Sequence, residues 1–230
     1  MRLPFHRSEG RAGRALRRAW IVLLLGSSPG LLSCGGDSGV TDPPDPNPDP
    51  DPVPEEELIF LKARADAPPL LTSDTSFVAT RGDDIKVEIF YAPEQGSGQQ
   101  VGDRFLELEL DDESLLRYPA GHPMAGATFQ AGDTITITIR IDRDELIATL
   151  EPTGLEFNPE RPAELELRYT NADDDFDGDG EEDPELEGEI DLWRQEKLGD
   201  PWFRVGEIKD AELRRIRARL TSFSRYALAI

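Results

Sequence analysis

The chain holds one cysteine, Cys34, in 230 residues. No internal disulfide can form, and a zinc site built from cysteines is excluded. It has two histidines, His6 and His122. Metal centres and catalytic triads that need a histidine pair are therefore excluded for any mature form that lacks the N-terminus. Positive charge is also scarce: 25 Lys and Arg stand against 47 Asp and Glu, a net of −22. Residues 1–33 carry six arginines and one acid, a net of +5, which leaves −27 for the rest. Nucleic acid is excluded as a partner, because phosphate binding needs clustered cations. Such a charge favours solubility, repulsion between copies, and the binding of cations. Long apolar runs are missing as well. The stretch "AWIVLLL", Ala19 to Leu25, falls far short of the roughly 20 helical residues that span a bilayer.

What the N-terminus does have is a basic region over residues 2–18, that short apolar core, and small or turn-forming residues up to Ser33. This order describes a secretory signal. Arg17-Arg18 before the apolar core leaves both the general and the twin-arginine export routes open. Leu31-Leu32-Ser33-Cys34 resembles the lipobox of bacterial lipoproteins, with an aliphatic residue three before the cysteine and a small residue directly before it. The resemblance implies a diacylglyceryl group on the Cys34 thiol, cleavage of residues 1–33, and acylation of the new amino terminus. The chain would then sit on a lipid bilayer of the bacterial cell envelope through acylated Cys34. Gly35 after the cysteine implies the outer rather than the inner membrane. Two or more acyl chains anchor stably, since each buried methylene contributes ~0.8 kcal/mol.

Residues 34–57 hold the cysteine and an Asp/Pro linker, "GGDSGVTDPPDPNPDPDPVPEEE" from Gly35 to Glu57. Proline removes backbone donors and favours extended geometry, the aspartates repel one another, and no apolar face exists to bury. This reads as a semi-rigid spacer reaching at most roughly 70 Å at about 3.1 Å per residue.

Residues 58–230 read as an all-β domain, an antiparallel β-sandwich. "TITITIRI" places Ile135, Ile137, Ile139 and Ile141 on one face. "FLELEL" sets Leu106, Leu108 and Leu110 against Glu107 and Glu109. "AELELRY" aligns Ala163, Leu165, Leu167 and Tyr169, and "IKVEIFY" aligns Ile85, Val87, Ile89 and Tyr91. "LEGEIDLW" sets Leu186, Gly188, Ile190 and Leu192 against Glu187, Glu189 and Asp191. Period-two alternation predicts strands with one dry and one wet face, and the Pro and Gly punctuation fits a sandwich. In "DAELRRIRARL", Leu213, Ile216 and Leu220 have helical spacing, but the favoured reading is a strand with Ile216, Ala218 and Leu220 inward and Arg215, Arg217 and Arg219 outward.

In the C-terminal half, "ATLEPTGLEFNPERPAELELRY" and the closing "LTSFSRYALAI" resemble the ZU-five domain of zonula occludens proteins, uncoordinated-five receptors and ankyrins. The matching positions are Pro152, Gly154, Phe157, Pro162, Trp202, Phe223, Ser224 and Tyr226, within residues 132–230. The resemblance implies a β-sandwich module for protein interaction or scaffolding. Some relatives cleave themselves between the Phe and Ser of the closing motif with help from a histidine. Here Ser222 stands at the histidine's place, so the proton acceptor is missing and cleavage at Phe223-Ser224 is not expected.

The stretch richest in candidate chemistry is "NADDDFDGDGEEDPE". Nine carboxylates lie between Asp173 and Glu185; they repel one another, and a hard cation held by Asp173, Asp175, Asp177, Asp179, Glu181 and Asp183 would relieve this. Two registers stay open. From Asp173, the acids at the first, third and fifth positions precede Gly178, but the twelfth position is Pro184, which offers no bidentate ligand. From Asp175, the order Asp175, Asp177, Asp179, Gly180, Asp183 resembles the calcium loops of thrombospondin type-three repeats. The alternative is a solvated acidic hairpin between strands 163–169 and 186–193. Calcium binding, where it occurs, falls at the weak extracellular end, about 10⁻⁴–10⁻³ M.

Arg214, Arg215, Arg217, Arg219 and Arg225 read as cross-strand partners for acids such as Glu187, Glu189 and Asp191. Trp193 and Trp202 read as packing residues and His122 as a loop residue. The function expected is a non-catalytic binding or scaffold module of the cell envelope, its partner an envelope protein or glycan. A glycosidase-like hydrolase using two carboxylates is the competing class.

Overall fold

β-Branched residues are stiff at χ1 and pack well on a pleated surface. The Thr/Ile run accordingly forms a nine-residue strand whose isoleucines are buried and whose threonines face out. The computed structural model describes residues 51–96 and 98–230. The signal, Cys34, and the Asp/Pro stretch before Asp51 lie outside the described residues.

In chain order the strands are β1 (Asp74–Thr80), β2 (Ile85–Phe90), β3 (Arg104–Leu110), β4 (Leu115–Arg117), β5 (Thr134–Asp142), β6 (Ile147–Glu151) and β7 (Glu156–Phe157). They continue as β8 (Ala163–Arg168), β9 (Asp191–Gln195), β10 (Trp202–Arg204), β11 (Glu207–Asp210), β12 (Arg215–Leu220) and β13 (Arg225–Ala229). A six-stranded sheet has the order β1-β5-β6-β13-β9-β10, and a five-stranded sheet the order β11-β12-β8-β3-β2. A small third sheet pairs β4 with β7. Every strand pairing is antiparallel. The all-β sandwich expected from periodicity is the observed fold.

One core joins the two large sheets. Ile137 and Ile139 of β5 and Leu228 of β13 meet Leu106 and Leu108 of β3, Leu165 of β8 and Ile216 of β12. Each such side chain contributes roughly 1.5–3 kcal/mol of transfer free energy when fully buried. A bulge at Ile89/Phe90 also brings Phe105 into this core, against Tyr91 at 5.9 Å. Trp202 is buried in a second cluster with Ile147 and Ala227, and its ring lies 5.2 Å from Phe60. This is the packing role expected for Trp202.

Three expectations are corrected. First, "LEGEIDLW" is not one strand: Glu187–Glu189 forms a 3-10 turn, and β9 starts only at Asp191. Asp191 is buried rather than wet, with its carboxylate held by Arg204 and Lys209. Second, the acidic stretch is not a hairpin. β8 belongs to the five-stranded sheet and β9 to the six-stranded one, so Asp173–Glu185 is a crossover between sheets. Third, Glu107 is not on a wet face. It is buried opposite Glu166 where β3 pairs with β8.

The chain segment before β1 is part of the fold. Val53 exchanges two main-chain hydrogen bonds of 2.8 Å with Trp202, and the Glu55 carboxylate accepts from the Trp202 indole and the Gln195 amide. The last residues of the stretch read as spacer, Val53 to Glu57, are thus built onto the β10 edge.

Candidate metal centre

The crossover leaves β8 after Arg168 and must change sheets before Asp191. Ala172 bridges Ala63, and the Asp173 N–H donates to the Lys62 carbonyl at 2.8 Å, which pins its start. The middle is then folded by its own aspartates. Asp173 Oδ1 accepts from the Asp175 N–H, Asp177 Oδ1 from the Asp179 N–H, and Asp179 Oδ1 from the Glu181 N–H. These side chain-to-backbone bonds are the local alternative that aspartate offers to regular structure. Gly178 and Gly180 take φ of 82° and 94°, the left-handed region that a side chain would strain.

The folding of the loop selects between the two registers. Oxygens of Asp175, Asp177 and Asp183 lie within 4.8 Å of one another. These are the first, third and ninth positions of the register that begins at Asp175. Asp173, Asp179 and Glu181 do not join this group, and their side chains are turned to the loop backbone or to solvent.

Asp183 is the keystone. It is buried, and its Oδ2 accepts from the N–H groups of Phe176 at 2.9 Å and Asp177 at 3.2 Å. Asp175 accepts from Gly178 at 2.7 Å and Gly180 at 2.9 Å, one bond on each oxygen. A carboxylate has about four lone-pair sites. Each of the three therefore keeps some unused acceptor capacity. A cluster of hard oxygen donors suits calcium; magnesium demands near-ideal octahedral geometry and is seldom held by dedicated protein loops. The donor set fits a calcium ion held by Asp175, Asp177 and Asp183.

Of the arginines expected to pair with acids, Arg214, Arg215, Arg217 and Arg219 do so, mostly with other acids than those expected. Arg214 reaches Glu187 at 3.2 Å and Asp174 at 2.6 Å, and its guanidinium lies 5.0 Å from the Tyr169 ring centroid. Arg217 binds Glu166 and Glu164, Arg215 binds Asp210 and Glu166, and Arg219 reaches Glu164. Arg225 bonds the Gln195 amide and lies over Trp202. His122 stacks on Tyr118 at 4.4 Å, and its Nδ1 accepts from the Met124 N–H.

A second constellation was not singled out in the sequence. Arg104 binds both Glu107 and Glu166, and Lys86 reaches Glu107 at 2.8 Å. Arg168, Arg217 and Arg215 complete the shell around Glu166 at 2.9, 3.0 and 3.4 Å. Burial alone would raise the Glu166 carboxyl, but the hydrogen bonds from Arg168, Arg104 and Arg217 outweigh it and hold the group at about 2. A partial signal was present: "FLELEL" and "AELELRY" each put glutamates on one face and "RIRARL" puts arginines on one, but the alternation does not say that these strands are neighbours or that Arg104, Lys86 and Arg168 also converge there.

At the closing motif, Gly154 donates to the Phe223 carbonyl at 2.9 Å, Phe157 meets Phe223 edge-on at 4.8 Å, and the Tyr226 hydroxyl donates to the Ser222 carbonyl at 2.6 Å. Ser224 is buried, and among the described residues no histidine or carboxylate hydrogen-bonds its hydroxyl. Among the described residues no helix is long and apolar enough to cross a membrane. Comparison with known proteins finds no matching family model, no matching curated protein and no matching solved structure.

Proposed function

We propose that the chain is a lipid-anchored module of the bacterial cell envelope, held to a bilayer through acylated Cys34, that binds or scaffolds an envelope protein or glycan and locks its inter-sheet crossover with calcium. The observation that supports the calcium part is the convergence of Asp175, Asp177 and Asp183 on a loop that must order itself between two sheets; the anchor is supported by the Leu31-Leu32-Ser33-Cys34 resemblance alone. Three like charges so close repel, and a divalent cation converts that repulsion into a constraint. Calcium at millimolar levels outside the cytoplasm matches a weak site.

The resemblance to the ZU-five domain belongs to the same reading. Of its quoted residues, Gly154 and Phe157 both meet Phe223, and Tyr226 bonds the carbonyl of the neighbouring Ser222. The hydrolase reading draws little support from the paired carboxylates of the sheet. A general acid needs a raised pKa, whereas Glu166 is held at about 2 by arginines.

Two experiments test the two halves. The natively expressed protein is expected to enter the detergent phase on phase separation, with Cys34→Ser remaining aqueous; an unmodified Cys34 by intact mass contradicts the anchor. Calorimetric titration is expected to show one calcium per chain at about 10⁻⁴–10⁻³ M, lost in Asp175→Asn and Asp183→Asn. A flat titration contradicts the calcium site.

A further inference from the structure

The two large sheets end in four edge strands, and three of them are guarded. Val53 bonds the β10 edge at Trp202. β2 carries Lys86 and Glu88, and Pro69 and Leu71 bond the chain at its end. β11 carries Lys209 and Asp210. Charged residues and covering segments of this kind keep a sheet edge from pairing with another chain. β1 has no such guard. Its sequence, Asp74-Thr75-Ser76-Phe77-Val78-Ala79-Thr80, holds one charge, and Arg140 of the adjacent β5 balances it at 3.3 Å. In a chain of net charge −22, this is a neutral edge.

The register of β1 on β5 shows which main-chain groups are left over. Ile141 donates to the Ser73 carbonyl and Arg81 to the Asp133 carbonyl, so the odd-numbered residues of β1 face β5. The N–H and C=O groups of Ser76 and Val78 point outward, and among the described residues none bonds them. The Val78 side chain beside them is 61% exposed. The short connection over residues 81–84 and the Leu70–Tyr91 bridge keep β1 and β2 on the same side of the sandwich. The inward residues there, Phe77, Ile85 and Val87, are only half-buried against the core. That side therefore presents an unpaired edge beside an apolar seam.

β1 is also complementary to itself. Phe77 is its midpoint. An antiparallel second copy centred there sets Ser76 opposite Val78 twice, through rungs made from the outward N–H and C=O groups, and Asp74 opposite Thr80 at each end. No like charges meet. The two Phe77 residues fall opposite each other at a non-hydrogen-bonded position, where side chains approach most closely, and extend the seam across the junction.

We propose that β1 is the docking edge for a second copy of this chain, paired antiparallel about Phe77 so that the six-stranded sheets of two copies become one. Twofold symmetry requires a patch that matches itself, and an edge built for an unrelated peptide needs no such match. One strand pair with its seam falls at the low end of interface size, below about 1,200 Å², so the dimer is weak and depends on concentration. Salt strengthens it, because the acidic remainders of the two copies repel and added ions screen that repulsion. This inference rests on neither the lipid anchor nor the calcium site.

The test uses the full chain carrying Cys34→Ser. Sedimentation equilibrium is expected to show a monomer that becomes a dimer as the concentration rises to about 1 mM, with salt shifting it toward the dimer. Ser76→Pro is expected to keep the chain monomeric while it stays folded, because the Ser76 N–H faces away from β5 and a proline there spares the β1–β5 ladder. A parent chain monomeric throughout, a dimer that salt weakens, or a Ser76→Pro chain that dimerises as the parent does overturns the proposal. A second measurement reads the register. Phe77→Cys is expected to form a disulfide between chains at least about tenfold faster than Ile208→Cys, since opposed Cα atoms about 4.5 Å apart suit a disulfide. Ile208 is the more accessible of the two, at 71% exposed, so an equal or slower rate for Phe77→Cys overturns the proposal.

Discussion

Glu107 and Glu166 stand directly opposite each other on β3 and β8, both buried, and Arg104 binds both carboxylates. Like charges so placed destabilise a sheet; Arg104 is the cation that bridges the two, with Lys86 on Glu107 and Arg168, Arg215 and Arg217 on Glu166. Removing one partner of a buried ionic group costs about 3–5 kcal/mol, because an uncompensated charge remains. Arg104→Met is expected to lower the unfolding free energy by that amount in a urea titration. Arg140→Met, on the exposed pair with Glu151 and Asp74, is expected to cost less than about 1 kcal/mol.

The same network sets an acid limit. Glu166 is held at about 2 in the fold, well below its ordinary value of 4.5. A depressed folded pKa contributes stability that is complete above the unfolded pKa and disappears as pH falls through the folded one. The contribution, on the order of 3 kcal/mol, is therefore expected to be lost between about pH 4.5 and pH 2. The stability gap between the parent chain and Glu166→Gln should narrow across that window. A gap that stays constant from pH 7 to pH 2 contradicts the ionised network.

Register on β11 and β12 separates buried from solvent-facing positions. Ile216 of β12 is almost fully buried, whereas Ile208 of β11 is 71% exposed. Ile216→Ala is expected to cost about 2–5 kcal/mol, and Ile208→Ala less than about 0.5 kcal/mol, each read from a denaturation midpoint.

Much of this fold was legible in the sequence because period two is a direct consequence of strand geometry. β5, β8 and β12 bury the residues that alternation selects: Ile137 and Ile139, Leu165 and Leu167, Ile216 and Leu220. What alternation cannot show is which strand lies beside which. That gap produced the misreadings at Glu107 and at the acidic crossover, where β8 and β9 proved to be in different sheets. "LEGEIDLW" failed for a local reason: Gly188 has no side chain to pack, and the chain turns there before β9 begins. At the acidic loop, composition gave six candidate ligands, and only the folded backbone selects Asp175, Asp177 and Asp183.

The most direct measurement of the central claim, that calcium locks the crossover, is thermal unfolding of the chain in 10 mM calcium and then in excess chelator. A site of about 10⁻⁴–10⁻³ M is filled at roughly 10–100 times its Kd under those conditions, which stabilises the fold by roughly 1.4–2.7 kcal/mol. For a chain of this size Tm is expected to rise by roughly 3–10 °C with calcium. Asp183→Asn should abolish the rise. Superimposable curves with calcium and with chelator would contradict the account.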